Sequence, residues 1–291
     1  MCPPTYMAAG VANNQWMRDL IAEQRAVNPT KAKNQFFDLY SLLTDECLVY
    51  LIPPRPGLQD QIYTSNAGAV LPHCEKVFIK SNFRAEARTG EEVEAAALLE
   101  RLGYECVDAP YFFEGEAELK WLRDNIYIGG HGTRSSLKAL EWLSEKFGAR
   151  IIPVEEKDPY LYHLDCSIFP VSSDLILAYT AGIPRAALRE MERYATIIPV
   201  TKAQAYAGVT NSLRIGYTVY NDSCINELPS RHPWFPTLRE EQAKNKFLET
   251  LCDNYGLELA FVNMSETLKS GALLSCCILH LTYDRVELCK P

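Results

Sequence analysis

The 291-residue chain is 47% hydrophobic and 23% charged, which allows a substantial core in one large or two small domains. Its formal charge of −8 and pI near 5.3, with no clustered Lys/Arg run, argue against nucleic acid as a partner. No segment approaches the roughly 20 uninterrupted apolar residues of a membrane helix, and the start Met1-Cys2-Pro3-Pro4-Thr5-Tyr6 lacks the basic-then-apolar order of a secretion signal, so a cytoplasmic protein with no membrane partner is expected.

In chain order, a helix followed by a short apolar or β-branched strand recurs. The pairs fall at 30–45 and 47–53, 91–102 and 104–110, 135–147 and 149–153, 185–194 and 196–199, and 238–255 and 257–262. Within 92–102 the apolar residues Val93, Ala96, Ala97, Leu99 and Leu102 sit at helical spacing. Further strand-like runs lie at 69–72, 76–79, 125–128, 175–179 and 213–220. Copies of a β-rich unit with one helix, spaced by roughly 45–60 residues, fall in the range of closed repeat architectures. The spacing predicts a single α/β domain over 1–291, a pseudo-symmetric propeller of five modules. A doubly wound α/β sheet is the alternative, but Gly129-Gly130-His131-Gly132, the nearest Gly-rich loop, matches neither dinucleotide nor phosphate-loop spacing.

Ten cysteines, at 2, 47, 74, 106, 166, 224, 252, 276, 277 and 289, form no Cys-x-x-Cys pair and no compact disulfide framework. Most are expected to be inert thiols in a reducing compartment, with no metal site.

Three segments could carry chemistry. If Tyr162-His163-Leu164-Asp165 is extended, His163 and Asp165 share a face, a pairing suited to acid–base work on a cation or to a plain structural hydrogen bond. The other histidines, His73, His131, His232 and His280, lack such company and read as surface or core residues. Phe112-Phe113-Glu114-Gly115-Glu116-Ala117-Glu118 alternates three carboxylates beside a glycine. Gly115 breaking the strand would turn Glu114 inward toward a guanidinium; a solvated acidic turn is the other reading. Ser270 to Leu279 forms a small-residue loop entering an apolar run, where strand alternation lets only one of Cys276 and Cys277 face a given pocket. Taken alone, that pair also suits two buried core thiols.

Together these pieces fall in an order that resembles the guanidino-modifying (pentein) superfamily: Phe-Glu-Gly, an Arg after a Gly-containing turn, His-Leu-Asp, then a near-C-terminal Cys. The resemblance spans nearly the whole chain and is nearest to the bacterial arginine dihydrolases, through Met-Cys-Pro-Pro, Asn14-Gln15-Trp16-Met17 and Thr64-Ser65-Asn66-Ala67-Gly68. It implies the five-module propeller, no cofactor, and a small guanidino substrate such as arginine; a homo-oligomer is left open. By the same resemblance Cys276 is the nucleophile, His163 the general acid then base, and Glu114 the clamp on the guanidinium. Asp165 is the second carboxylate, Asn66 and Asn14 hold the reacting end, Arg134 takes the α-carboxylate, and Arg88 matches a second arginine. Deiminases and dimethylargininases carry an aspartate where this chain has Asn66. An amide can donate and accept, which suits both guanidinium and ureido groups and favours dihydrolase chemistry over a stop at citrulline. Amidinotransfer and a non-catalytic pentein-fold interaction protein are the remaining alternatives. Two departures stand out: the usual Glu-Gly-x-Gly-Asp reads Glu114-Gly115-Glu116-Ala117-Glu118, and Gly271 is the one glycine before the cysteine where two are usual.

Overall fold

Four three-stranded sheets of identical topology follow one another in the computed structural model, which describes residues 1–228 and 235–289. The first comprises β1 (Gly68–Val70), β2 (Val77–Lys80) and β3 (Glu105–Asp108). The second comprises β4 (Leu119–Arg123), β5 (Ile126–His131) and β6 (Arg150–Glu155); the third β7 (Ile168–Ser172), β8 (Leu175–Ala178) and β9 (Thr196–Pro199); the fourth β10 (Leu213–Ile215), β11 (Thr218–Asp222) and β12 (Glu258–Val262). In each, an antiparallel hairpin is followed by a helical crossover to a parallel third strand. The crossover helices are Glu92–Arg101, Leu137–Phe147, Arg185–Met191 and Phe235–Tyr255.

Local sequence explains these units. Ser136 caps the helix Leu137–Phe147 by accepting from the Ala139 N–H, and Gly148 ends it at φ +69°, a conformation that favours glycine. That helix turns Ala139, Leu140 and Leu143 inward. The cores lie largely where neighbouring units meet: Ile128 and Ile152 of the second sheet pack with Ile168 and Ile176 of the third and with Met191. Each buried aliphatic side chain in such a seam contributes about 1.5–3 kcal/mol.

The fold is mixed α/β, and most expected elements are present. The 30–45 helix runs Pro29–Glu46, but the strand expected at 47–53 is absent; that segment is irregular and is tied by the Ile52 N–H to the Met1 carbonyl and by the Met1 ammonium to the Tyr50 carbonyl. The run at 213–220 is a hairpin, β10 and β11, rather than one strand. β4 and β7 were hidden, β4 by Lys120 and Arg123 and β7 by Pro170, which sits where the β7–β8 register shifts. His163 is extended, but Leu164–Cys166 is a 3-10 turn, so strand alternation does not govern Asp165. Ser275–Cys277 is likewise a 3-10 turn, so alternation does not separate the two cysteines either. No helix among the described residues is long and apolar enough to cross a membrane.

The loops entering the four sheets carry the polar residues of interest: Asn66 before β1, Glu114 to Glu118 before β4, His163 and Asp165 before β7, and Asn211 before β10. Gly115 fixes one of them. It sits at φ +67°, and a Cβ there would lie 2.5 Å from the Ser65 carbonyl and 2.7 Å from that of Gly68. Gly115→Ala is expected to lower stability by about 3 kcal/mol, through backbone strain and overpacking, measured by denaturant unfolding.

Candidate active site

All three acidic side chains of the 114–118 turn are buried, so it is no solvated loop. Glu114 is 0%, Glu116 3% and Glu118 0% exposed. Gly115 turns the chain so that each finds a different partner. Glu114 meets Arg134 Nη1 at 3.1 Å and His163 Nε2 at 2.8 Å, and accepts from the Arg84 N–H at 3.3 Å. Burial opposes its charge, but Arg134 and then His163 outweigh burial and hold the carboxyl well below the usual range. Asn66 Nδ2 lies 3.5 Å from the same His163 nitrogen. Glu114, His163, Arg134 and Asn66 therefore form one buried polar set.

A second set surrounds the sulfur. Cys276 Sγ lies 3.7 Å from Asp165 Oδ2, and Asn211 Nδ2 donates to the sulfur at 3.6 Å. Asn211 also accepts from the Ser275 N–H at 3.0 Å, while Ser275 Oγ donates to Asp165 at 3.0 Å. The Cys166 thiol reaches the other Asp165 oxygen at 3.6 Å. Burial, then Asp165, push the Cys276 thiol up to about 12. Cys277 turns elsewhere, its thiol donating to the Leu273 carbonyl at 3.8 Å within the apolar interior. The two sets are joined through the chain, since His163 belongs to one and Asp165 to the other.

Asn14 and Arg88 lie outside both sets, and Arg134 has further partners beyond the first. Asn14 caps the short helix Gln15–Asp19, accepting from the Met17 N–H, and donates to the Ser270 carbonyl at 2.8 Å. Arg88 forms a buried bidentate pair with Glu91 and stacks on Phe83. Arg134 is engaged by Glu114, by the Asn13 carbonyl at 2.7 Å, and by the Tyr162 ring 5.0 Å from its carbon. Tyr162 Oη donates to the Gly271 carbonyl at 2.7 Å, and Trp16 Nε1 to the Tyr160 carbonyl at 2.8 Å, drawing the N-terminal segment and the 270–271 loop together. A cavity of about 100 Å³ lies against Cys276, walled by Trp16, Tyr160, Tyr206, Leu161 and Leu273.

Sequence reasoning missed several groups. Asn211 carries no charge and no motif; its one signal is a position before β10 equivalent to that of Asn66 before β1. Asp60 is buried beside Asn13, with Oδ1 unpartnered, and feels both Arg88 and Arg134. His280 does not stand alone: its Nδ1 is 2.6 Å from Glu116, a pairing across 164 residues that no local pattern reveals. His73 reads correctly as a packed side chain, bonded to Tyr127 Oη. His232 lies outside the described residues.

Removing the Glu114 charge strands Arg134 without its carboxylate. Glu114→Gln is expected to cost about 3–5 kcal/mol of folding stability at pH 7 by denaturant unfolding. Because the folded carboxyl is depressed, that contribution is full above the unfolded carboxyl range and fades as pH falls below it, so the gap between wild type and variant narrows in acid.

The chain is similar to known proteins in sequence and in fold. Over 283 residues the chain is 26% identical to the N(G),N(G)-dimethylarginine dimethylaminohydrolase of Mycobacterium tuberculosis, covering 97% of this chain and 84% of that protein. It is 26% identical to the bifunctional arginine dihydrolase/ornithine cyclodeaminase ArgZ of Synechocystis, covering 97% of this chain but 37% of ArgZ. Among solved structures, the N-terminal domain of ArgZ bound to product superposes with a TM-score of 0.80 at 24% identity, over 97% of this chain and 96% of that one. Dimethylarginine dimethylaminohydrolase from Pseudomonas aeruginosa superposes with a TM-score of 0.66 at 17% identity, over 92% and 96%. The family described as N,N dimethylarginine dimethylhydrolase, eukaryotic, matches residues 4–279. The chain belongs to that family and is a hydrolase of carbon–nitrogen bonds.

Proposed function

We propose that the protein hydrolyses the guanidino group of arginine, with Cys276 as nucleophile. The observation that carries this reading is Asp165: it is 1% exposed, yet its partners are a hydroxyl and two thiols, and no cationic side chain bonds to it among the described residues. A buried carboxylate without a cation is costly, and a planar guanidinium placed between Asp165 and the sulfur would relieve that cost. Such a cation also supplies the positive charge that the thiol lacks, lowering its pKa where the resting site raises it.

The sulfur then bonds to the guanidinium carbon while His163, oriented by Glu114, gives a proton to the departing nitrogen, and ammonia leaves. His163 next takes a proton from water as its oxygen bonds to the same carbon; the carbon–sulfur bond breaks and a ureido product leaves. Asn66, whose amide can face either a guanidinium or a ureido oxygen, favours a second round that yields ornithine, carbon dioxide and ammonia. Arg134 is the group for the substrate α-carboxylate, and Asp60, with one unpartnered oxygen and within the electrostatic reach of Arg88 and Arg134, for the α-ammonium. Asn14 acts in binding by holding the 270–271 loop, and Arg88, fixed by its buried pair with Glu91, through its charge.

A second reading, dimethylarginine hydrolysis with release of dimethylamine, is favoured by the cavity of about 100 Å³ at Cys276, whose aromatic and aliphatic walls suit methyl groups. Arrest at citrulline and amidinotransfer are other outcomes of the same assay. Four sheets of one topology, with the helix Pro29–Glu46 packed through Phe36, Leu39 and Leu43 against Leu213, Tyr220 and Val262 of the fourth, support one domain over 1–291 organised as a five-module propeller. Ten unpaired cysteines support a cytoplasmic enzyme acting on a free small molecule.

Incubation with arginine is expected to yield ammonia and ornithine; accumulating citrulline, or amine released from dimethylarginine alone, would select the other reactions. Cys276→Ser should abolish turnover with folding intact, whereas Cys277→Ser should retain most of it; the reverse result overturns the assignment. Asn66→Asp is expected to shift products toward citrulline, read by the ornithine-to-citrulline ratio.

A further inference from the structure

Glu118 and Glu156 form a buried carboxyl pair to which the scheme above gives no task. Glu118 is 0% exposed and Glu156 8%. Two backbone N–H groups end on Glu118: that of Ser135 on Oε1 at 3.3 Å and that of Leu164 on Oε2 at 3.1 Å. Ser135 follows Arg134, and Leu164 follows His163, the two side chains that flank the Glu114 carboxylate. One carboxylate therefore clasps the backbone directly behind both. Ser135 strengthens the clasp, its Oγ accepting from the Glu114 N–H at 3.0 Å.

Glu156 faces this clasp. Neither of its oxygens has a donor among the described residues, and both are buried. The two carboxyls converge over Gly130, where a Cβ would collide with Glu118 Oε2 and lie 3.0 Å from Glu156 Oε1. Two ionised carboxylates so close repel, and little solvent is present to screen them; one proton between them replaces repulsion with a hydrogen bond. Burial first, then Glu118, with Asp165 and Glu114 adding to it, push the Glu156 carboxyl well above the usual range. Burial and Glu114 also raise Glu118, but His163 and two backbone donors favour its charge. Glu156 is thus the member that keeps the proton.

We propose that Glu156 is a positioning residue: as a carboxylic acid it donates to Glu118, keeps that carboxylate turned to the Ser135 and Leu164 N–H groups, and so fixes Arg134 and His163 around Glu114. The inference rests on the role proposed for His163. No sequence motif singled out Glu156.

The test compares Glu156→Gln, whose amide still donates but cannot ionise, with Glu156→Ala, which removes the donor. Two readouts are used: the pH profile of guanidine turnover, and the ring titration of His163 followed by NMR on labelled histidine without substrate. Glu156→Ala is expected to lower kcat at least tenfold, with a smaller change in KM, and to shift the His163 titration. Glu156→Gln should rescue kcat at pH 7 to within about twofold and carry activity to higher pH than wild type, because the pair can no longer gain a second charge. The NMR titration decides the clasp even if no guanidine is turned over. Identical profiles and identical His163 titrations in wild type and Glu156→Gln would overturn the proposal. If Glu156→Ala does not fold, the comparison of wild type with Glu156→Gln still decides it.

Discussion

A buried negative charge governs this structure. Glu114 keeps its charge at 0% exposure because a guanidinium and an imidazole converge on it, and either partner lost would leave several kcal/mol uncompensated. The rest of the centre follows from that constraint. Arg134 must come from the loop after β5 and His163 from the loop before β7, so the two sheets must be held in register for the carboxylate to stay ionised. The Ile128, Ile152, Ile168 and Ile176 seam between those sheets supplies the rigidity. Packing and electrostatics are thus coupled: the apolar seam fixes distances that make the ion pair favourable, and the pair makes the interior of the turn tolerable.

Repetition of one topology explains how residues remote in sequence meet. The loop before each sheet brings polar groups into contact with those of other loops: an amide from Asn66, carboxylates from Glu114 and Glu118, an imidazole and a carboxylate from His163 and Asp165, and, through Cys276, an amide from Asn211. A repeat unit with no function of its own becomes a site when its entry loops diverge in chemistry while its strands stay alike. Cys276 arrives from outside the four sheets, on the 3-10 turn Ser275–Cys277, and is oriented by Asn211 and Asp165 rather than by a strand of its own.

The repeat was legible because it depends on local chemistry, whereas Cys276, Asn66 and Arg134 entered as candidates only through the family resemblance. Helical periodicity at 92–102 and the β-branched run at 196–199 announce themselves, and a glycine beside Glu114 signals a sharp turn. What stayed hidden depends on contacts across long separations. The strand expected at 47–53 has the composition of one but no partner strand, so propensity alone could not make it pair. The side-by-side pairing of Asp165 with His163 did not form: a 3-10 turn sends Asp165 toward the sulfur, while His163 meets Glu114. Asn211, Asp60 and Glu156 carry no motif, and their importance lies in what they face in three dimensions.

Asp165 bears on the second half of the proposed reaction. A guanidinium satisfies it in the first round, but a ureido group is neutral and brings no charge to pair with the carboxylate or to ionise the thiol. The cation for a second round must then come from the protein, and His163 is the one group at the centre able to gain a charge there without being removed from a partner. Its ring nitrogen meets Glu114 at 2.8 Å and lies 3.5 Å from the Asn66 amide that would orient the ureido oxygen. Dihydrolase chemistry therefore asks more of the Glu114–His163 pair than deiminase chemistry does, because the same carboxylate that orients the histidine must also keep it charged when the substrate no longer supplies the charge.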